Sequence, residues 1–151
     1  KTKSFYKKYI DNSTEKNISF VENQTYEVLK NSSAALVTSG TATLEAALIK
    51  TPQIVCYKSS WVSYQIGKIL LKNLKYISLV NLILNKEVVK ELIQGDLNAT
   101  NLVEELKSIL KKGKRNEMID SYSELENLLE KEGASRETAR RIVNFHLELN
   151  S

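Results

Sequence analysis

Short apolar runs alternate with more polar, helix-like segments through the first half of the chain. The apolar runs, each of four or five residues, predict strands at Ile18–Val21, Ala34–Val37, Gln53–Tyr57 and Tyr76–Val80. The other segments predict helices at Thr25–Leu29, Ala42–Ile49 and Ser60–Lys72. This alternation is typical of a parallel sheet built from βαβ units. We therefore predict an α/β fold, with a Rossmann-like parallel sheet flanked by helices.

In the second half of the chain the apolar residues recur at helical spacing. Helices are predicted at Glu87–Ile93, around the apolar stripe Leu102–Leu110, after Ser121, and from Ser135 to Phe145. Two capping boxes are predicted, Asn101 with Glu104 and Ser121 with Glu124, and Gly113 is expected to end the first of these two helices. The C-terminal end of the chain is thus expected to be helical.

The composition is that of one folded domain. The 151 residues are 42% hydrophobic, which is enough for one core. We expect a single domain over residues 1–151, with residues 114–151 as a C-terminal helical extension. Cys56 and His146 are the only residues of their types, and both are expected to have packing or surface roles, because no metal-ligand cluster and no disulfide framework exist. The first residue is Lys, so the chain is expected to be a piece of a longer protein.

Positive charge is concentrated in one stretch. The formal net charge is only +4, yet residues 46–86 contain six lysines and no acidic residue. Aromatic residues are not interleaved with the bases in any sheet-like run, and the signatures of RNA-binding modules are missing. Nucleic acid is therefore not expected as a partner.

A strand, a tight turn with a glycine, and a helix start follow one another between Val37 and Glu45. A helix N-terminus presents unpaired N–H groups and a partial positive charge. Gly40 allows a phosphate to approach the backbone, and Ser39 and Thr41 add hydroxyl donors. Glu45 follows one turn later, where it can accept hydrogen bonds from a ribose diol. The segment predicts a nucleotide site, and the alternative is an ordinary strand-to-helix turn with a capping hydroxyl.

Three loops are expected to lie beside one another at one edge of the sheet. In open α/β sheets, ligands bind outside the carboxyl ends of the strands. The loops that follow the predicted strands there are Thr38–Thr41, Lys58–Trp61 and Asn81–Asn85. Function is expected at this edge.

Five motifs follow one another over about Ser33 to Leu110. They are Ser39–Glu45, Pro52–Lys58, Trp61–Lys68, Tyr76–Ile83 and Val88–Gln94. In this order and spacing they resemble the lipid-A-disaccharide synthase family, inverting glycosyltransferases of the GT-B fold. The first motif is shared loosely with other GT-B enzymes, and the combination separates this family from them. Val80 and Lys90 depart from the pattern, because many members have proline there.

The resemblance implies that the chain is the C-terminal, donor-nucleotide half of a GT-B enzyme. The family's N-terminal half, which binds the acceptor and carries an essential acidic residue, is absent, so no catalytic residue is expected here and the fragment alone is expected to be inactive. The family joins UDP-2,3-diacylglucosamine to 2,3-diacylglucosamine 1-phosphate, forming the lipid A disaccharide 1-phosphate and UDP. The UDP-sugar is a substrate, and neither a cofactor nor a metal is expected.

The resemblance also implies which residues hold the donor. They are Ser39, Gly40, Thr41, Glu45, Tyr57, Asn81, Glu91 and Gln94. The turn residues are expected to hold the diphosphate and Glu45 the ribose, with Asn81 at the diphosphate or sugar and Tyr57 beside the nucleoside. Each has a structural alternative: Asn81 as a helix cap, Tyr57 in the core, and Glu91 and Gln94 on a solvated helix face.

Membrane-resident substrates imply a cytoplasmic enzyme that is peripheral to the inner face of the inner membrane. Lys68, Lys72 and Lys75 share one face of the predicted helix, with Trp61 near its start, and this face is the candidate contact with anionic lipid. The alternative is an ordinary amphipathic helix packed on the sheet. Two other functions stay open: another UDP-sugar enzyme of GT-B fold (an epimerase or a transferase), and a nucleotide-binding module without catalysis.

Overall fold

Three parallel strands form a sheet in the part of the chain that the structure describes. The computed structural model describes residues 6, 10, 11, 13–15, 17–38, 40–60 and 75–132. Within them the strands are β1 (Ala35–Val37), β2 (Gln53–Tyr57) and β3 (Lys90–Ile93), in the spatial order β1-β2-β3. Val37 pairs with Val55, and Tyr57 pairs with Ile93. The predicted parallel α/β sheet is confirmed.

Helices flank this sheet. The described helices are α1 (Thr25–Lys30), α2 (Thr41–Leu48), α3 (Leu79–Leu84), α4 (Ala99–Ile109) and α5 (Lys112–Glu132), and a 3₁₀ turn at Gln94–Asp96 follows β3. Adjacent strand residues point to opposite faces of a sheet. Ile54 and Val55 of β2 are both fully buried, so both faces of the central strand are covered, as is typical of parallel sheets.

The long helix α5 contributes to the core. Met118, Tyr122 and Leu125 are buried there against residues of the sheet and of α3. Burial raises the pKa of the Tyr122 phenol. At the C-terminal end of α2, Lys50 binds Glu126 of α5 at 2.6 Å. Residues 114–132 of the predicted helical extension thus pack onto the α/β unit.

The strand predicted at Ile18–Val21 is wrong. The segment is irregular, and it has no neighbouring strand among the described residues. Ile18, Phe20 and Val21 are exposed. An apolar run becomes a strand only where a neighbour accepts its backbone hydrogen bonds, and β1 pairs with β2 alone within this sheet.

The predictions for residues 76–93 are wrong in a related way. The predicted strand Tyr76–Val80 is irregular up to Ser78 and continues as the first two residues of α3. The Ser78 hydroxyl accepts a hydrogen bond from the Asn81 N–H and caps that helix. The predicted helix Glu87–Ile93 contains β3, which pairs with β2 in parallel. Short apolar runs do not distinguish a buried strand from a buried helix by periodicity.

The predicted capping boxes are also wrong. Asn98 caps α4 by accepting from the Asn101 N–H at 3.0 Å, so α4 begins earlier than predicted. Gly113 lies inside α5 instead of ending the preceding helix, and Ser121 and Glu124 lie in the middle of α5. Apart from Ser60, the predicted helix Ser60–Lys72 lies outside the described residues, as does the predicted helix Ser135–Phe145.

Candidate functional site

Three connections meet at the carboxyl edge of the sheet. Because the strands are parallel and in register, the ends of β1, β2 and β3 share one edge. The chain leaves them through residues 38–41, 58–60 and 94–96. The first two are loops predicted for this edge. The third predicted loop, Asn81–Asn85, lies mostly within α3, and the turn after β3 occupies its place.

Gly40 forms the turn between β1 and α2. Its backbone has φ +105° and ψ −158°, a conformation that residues with a Cβ rarely adopt. Among the described residues, a Cβ at this position would meet nothing within 4 Å. The glycine is therefore required by backbone conformation, and no described side chain fills the space beside the turn.

The start of α2 has no side-chain cap. Gly40 is the N-cap residue of α2, and the first turn of α2 contains no acidic residue. The Thr43 hydroxyl donates to the Gly40 carbonyl at 2.8 Å, so it does not occupy the first N–H groups. Among the described residues, no side chain accepts from these groups, and the partial positive charge of the helix end has no carboxylate partner in that turn.

Glu45 lies one turn further along α2, at the wall of a cavity. The cavity has a volume of about 640 Å³ and is also lined by Thr38, Ala42 and residues of β1 and α1. The Glu45 side chain is half-buried, and within the described part of the chain its carboxylate has no hydrogen bond or ion pair. It is thus available to a ligand in the cavity.

Gln94 holds the loop that follows β2. Its Oε1 accepts from the Ser59 N–H at 2.7 Å, and its Nε2 donates to the Ser59 carbonyl at 3.2 Å. Gln94 has a positive φ of 52°. The side chain therefore bridges two of the three connections at this edge, and it does not lie on the predicted solvated helix face.

Glu91 holds the segment before α3. Its carboxylate accepts from the N–H groups of Ile77 and Ser78, both at 2.9 Å, and from Asn81 Nδ2 at 2.9 Å. Three donors of this kind satisfy a carboxylate that is half-buried. Glu91 thereby fixes the entry of α3 against β3.

Asn81 is fully buried and its amide is bonded on both sides. Its Oδ1 accepts from the N–H groups of Val88 and Val89 at 2.8 and 3.0 Å. Its Nδ2 donates to the Val89 carbonyl and to Glu91. These four bonds use the hydrogen-bonding capacity of the amide, so Asn81 joins α3 to β3 and has no free group for a ligand.

Tyr57 and Cys56 complete the end of β2. The Tyr57 side chain is half-buried at the carboxyl edge, between the first and third connections. Cys56 is also half-buried, and burial raises the pKa of its thiol. A raised pKa lowers the thiolate fraction, which agrees with a packing role.

Several predicted residues lie outside the described residues, namely Ser39, Trp61, Lys68 and Lys72. Lys75 is exposed, and its Nζ lies 5.2 Å from the centre of the Tyr76 ring. No group of three or more metal-ligating side chains exists among the described residues. None of the described helices is long and apolar enough to span a membrane.

Ser59 takes part in this edge, and Ser78 in the contact between α3 and β3, in roles that were not predicted. Both act through backbone N–H groups that Gln94 and Glu91 bind. Each pair is far apart in sequence, so no local motif indicates it. Only the position of β3 beside β2 brings the partners together.

An α/β unit with open loops at the carboxyl edge of a parallel sheet is the class of fold that binds nucleotides. The profile of the lipid-A-disaccharide synthetase family matches residues 1–143. The chain belongs to this family.

Curated relatives agree with the family profile. The lipid-A-disaccharide synthases of Francisella tularensis subsp. tularensis (strain WY96-3418) and subsp. novicida (strain U112) are each 41% identical to the chain over 117 residues. These residues are 78% of the chain and 31% of each relative. The chain thus spans about a third of the length of the relatives it matches.

Proposed function

We propose that the chain is the UDP-sugar-binding part of an inverting glycosyltransferase. The proposed reaction joins UDP-2,3-diacylglucosamine to 2,3-diacylglucosamine 1-phosphate and releases UDP. The remaining part of the enzyme, an N-terminal acceptor domain, supplies the other wall of the active site and the catalytic base. Family membership supports the reaction class, and the uncapped turn at Gly40 supports the site.

The N-terminus of α2 is the proposed binding site for the diphosphate. Its first N–H groups have no side-chain acceptor among the described residues, and open space lies beside Gly40. Ser39 and Thr41 add hydroxyl donors. Glu45, one turn away and without an internal partner, is the proposed acceptor for the ribose hydroxyls, and Tyr57 flanks the nucleoside.

These groups stabilise the leaving group in the proposed reaction. As the bond between the sugar and UDP breaks, negative charge grows on the diphosphate. Backbone N–H groups and a helix N-terminus that already point toward this charge lower the barrier without reorganising. The acceptor hydroxyl must lose its proton to a base, and that base belongs to the remaining part of the enzyme.

In this proposal Gln94 positions the loop that follows β2 at the carboxyl edge, and Asn81 and Glu91 hold α3 against β3. Their polar atoms are committed to the bonds that fix α3 and the Ser59 loop. Rigid loops hold a donor site in its productive geometry. Direct contact with the donor is proposed for the turn residues, Glu45 and Tyr57.

A thermal-shift titration tests the proposed ligand. UDP at about ten times its Kd stabilises the folded state by roughly 1.4 kcal/mol. For a domain of this size, that raises Tm by about 3–6 °C. Uridine, which lacks the diphosphate, is the matched control and is expected to have a smaller effect. Stabilisation by RNA oligomers with none by UDP would contradict the proposed ligand.

We also propose peripheral binding to the inner face of the inner membrane. The acid-free stretch at 46–86 carries Lys68, Lys72 and Lys75, and each lysine near an anionic surface contributes about 1 kcal/mol. Co-sedimentation with anionic vesicles is expected at low salt and not at high salt. Replacing the three lysines with glutamine is expected to weaken it more than the same change at Lys30, Lys107 and Lys111. Equal binding by both triple variants would contradict the proposal.

A further inference from the structure

A buried series of hydrogen bonds connects α5 to the turn at Gly40. Gln53 of β2 donates from Nε2 to the Thr43 carbonyl of α2 at 2.9 Å and to the Tyr122 hydroxyl of α5 at 3.3 Å. These three residues are fully buried. The Thr43 hydroxyl in turn donates to the Gly40 carbonyl at 2.8 Å. The series of bonds thus joins three elements and ends at the N-cap residue of α2.

Thr43 holds the Gly40 carbonyl with two donors. The Thr43 N–H donates to this oxygen at 3.2 Å, in addition to the hydroxyl. A backbone carbonyl has two lone pairs, so both are used. The N–H groups of the same turn are the proposed contacts of the diphosphate. The backbone conformation that Thr43 fixes is therefore the conformation of the proposed binding site.

Stability alone does not explain the polar side chain of Gln53. The reverse orientation of its amide would set Oε1 against the Thr43 carbonyl oxygen, so the carbonyl fixes the orientation. In this orientation the buried Gln53 Oε1 has no hydrogen-bond partner among the described residues. A buried oxygen without a partner costs free energy, whereas replacing two bonded polar groups by apolar groups of the same shape is nearly neutral or stabilising.

We propose that Gln53 and Tyr122 are positioning residues for the donor diphosphate. They hold the Thr43 carbonyl, and through Thr43 the turn at Gly40, in the conformation whose N–H groups receive the phosphates. The inference rests on the proposed function, because it concerns the same binding site. A binding site reaches its full affinity only when supporting residues fix its geometry. In this way α5 contributes to the site without contacting the donor.

Replacing both polar partners with apolar side chains separates positioning from stability. In the double variant Gln53→Met with Tyr122→Phe, the urea midpoint of unfolding is expected to be unchanged or higher, because the buried oxygen without a partner is removed. The affinity for UDP, from a titration followed through amide resonances, is expected to fall about three- to tenfold. The affinity for uridine, which lacks the diphosphate, is expected to be unchanged.

Single variants and a measurement without ligand locate the effect. Tyr122→Phe alone removes one hydroxyl and is expected to lower the affinity for UDP about twofold. Met118→Leu, a volume-conserving change at another buried position of α5, is the matched control and is expected to leave both affinities unchanged. In the ligand-free double variant, the Thr43 amide, which donates to Gly40, is expected to exchange its hydrogen about threefold faster than in the parent.

Three outcomes would overturn the inference. They are an unchanged exchange rate of the Thr43 amide in the double variant, an unchanged ratio of its UDP and uridine affinities, and an equal loss of both affinities with a lower urea midpoint. The last outcome is the one that a structural role alone produces. A parent chain that binds UDP no more tightly than uridine contradicts the proposed function itself, and with it the diphosphate as the group that is positioned. A parent that prefers UDP, with a double variant that keeps this preference, contradicts only the inference.

Discussion

At the scale of single residues, Gly40 carries the turn on which the nucleotide proposal depends. Its φ of +105° excludes most side chains, yet no described residue lies within 4 Å of where its Cβ would be. At many functional glycines, an added Cβ would both strain the backbone and clash with neighbouring atoms. At Gly40 the described residues leave room for a Cβ, so a substitution there measures the backbone strain alone.

Gly40→Ala is expected to destabilise the fold by about 1–3 kcal/mol, the cost of a residue held in a region that only glycine readily occupies. Gly113 provides the opposite control. It lies in α5 without a positive φ and also has open space around it, so Gly113→Ala is expected to stabilise by up to about 1 kcal/mol. Urea unfolding of both variants measures the difference, and equal effects would contradict this account of the turn.

Glu45 differs from the other predicted acid of the site in what it contacts. Glu91 is satisfied by three internal donors. Glu45 has no internal partner in the described part of the chain and faces the cavity. Glu45 is predicted both from its position one turn after Gly40 and from the resemblance, whereas Glu91 is predicted from the resemblance alone, with a solvated helix face as the alternative. The difference follows from tertiary pairing that places Glu91 on a strand beside the entry of α3.

At the scale of elements, the sequence predicts the first β-α-β unit well and the second poorly. Both ends of β2 are predicted correctly, and the ends of α2 and β1 are predicted to within one residue. Gly40 and Thr51-Pro52 mark the boundaries between these elements in the sequence. The second unit has no such signals between Tyr76 and Ile93. Its apolar runs fit a strand or a helix equally, and the contacts of Asn81 and Glu91 decide between them.

Asn81→Ala tests how much the hydrogen bonds between α3 and the start of β3 contribute to stability. It removes the Asn81 amide oxygen that accepts from the buried N–H groups of Val88 and Val89, and the Val88 N–H keeps only its bond to the Lys86 carbonyl. The loss is expected to cost about 2–4 kcal/mol. Asn127→Ala, at an exposed position of α5, is the matched control and is expected to stay within about 0.5 kcal/mol of the parent. The free energy of unfolding measures both. A loss of unfolding free energy as small as that of Asn127→Ala would contradict this account of the contact between α3 and β3.

At the scale of the whole molecule, one edge of the sheet gathers the features that bear on function. Among the described residues, the start of α2 has no side-chain cap, and it and the loop held by Gln94 lie at the carboxyl end of the sheet. The helix α5 instead takes part in exposed ion pairs, Lys86–Glu124 and Lys114–Glu117. This asymmetry fits a domain that completes its site with another part of the same enzyme, as proposed.

The central claim is that the turn at Gly40 holds the diphosphate of UDP. A titration of the chain with UDP, followed through its backbone amide resonances, tests this claim most directly. Binding is expected to be weak, because one wall of a two-domain cleft lacks the other half of the contacts. The account predicts the largest shifts between Thr38 and Glu45 at millimolar UDP, and a reduced affinity for Glu45→Gln with an unchanged melting temperature. UDP that perturbs no amide in this segment, or affects Glu45→Gln and the parent equally, would contradict it.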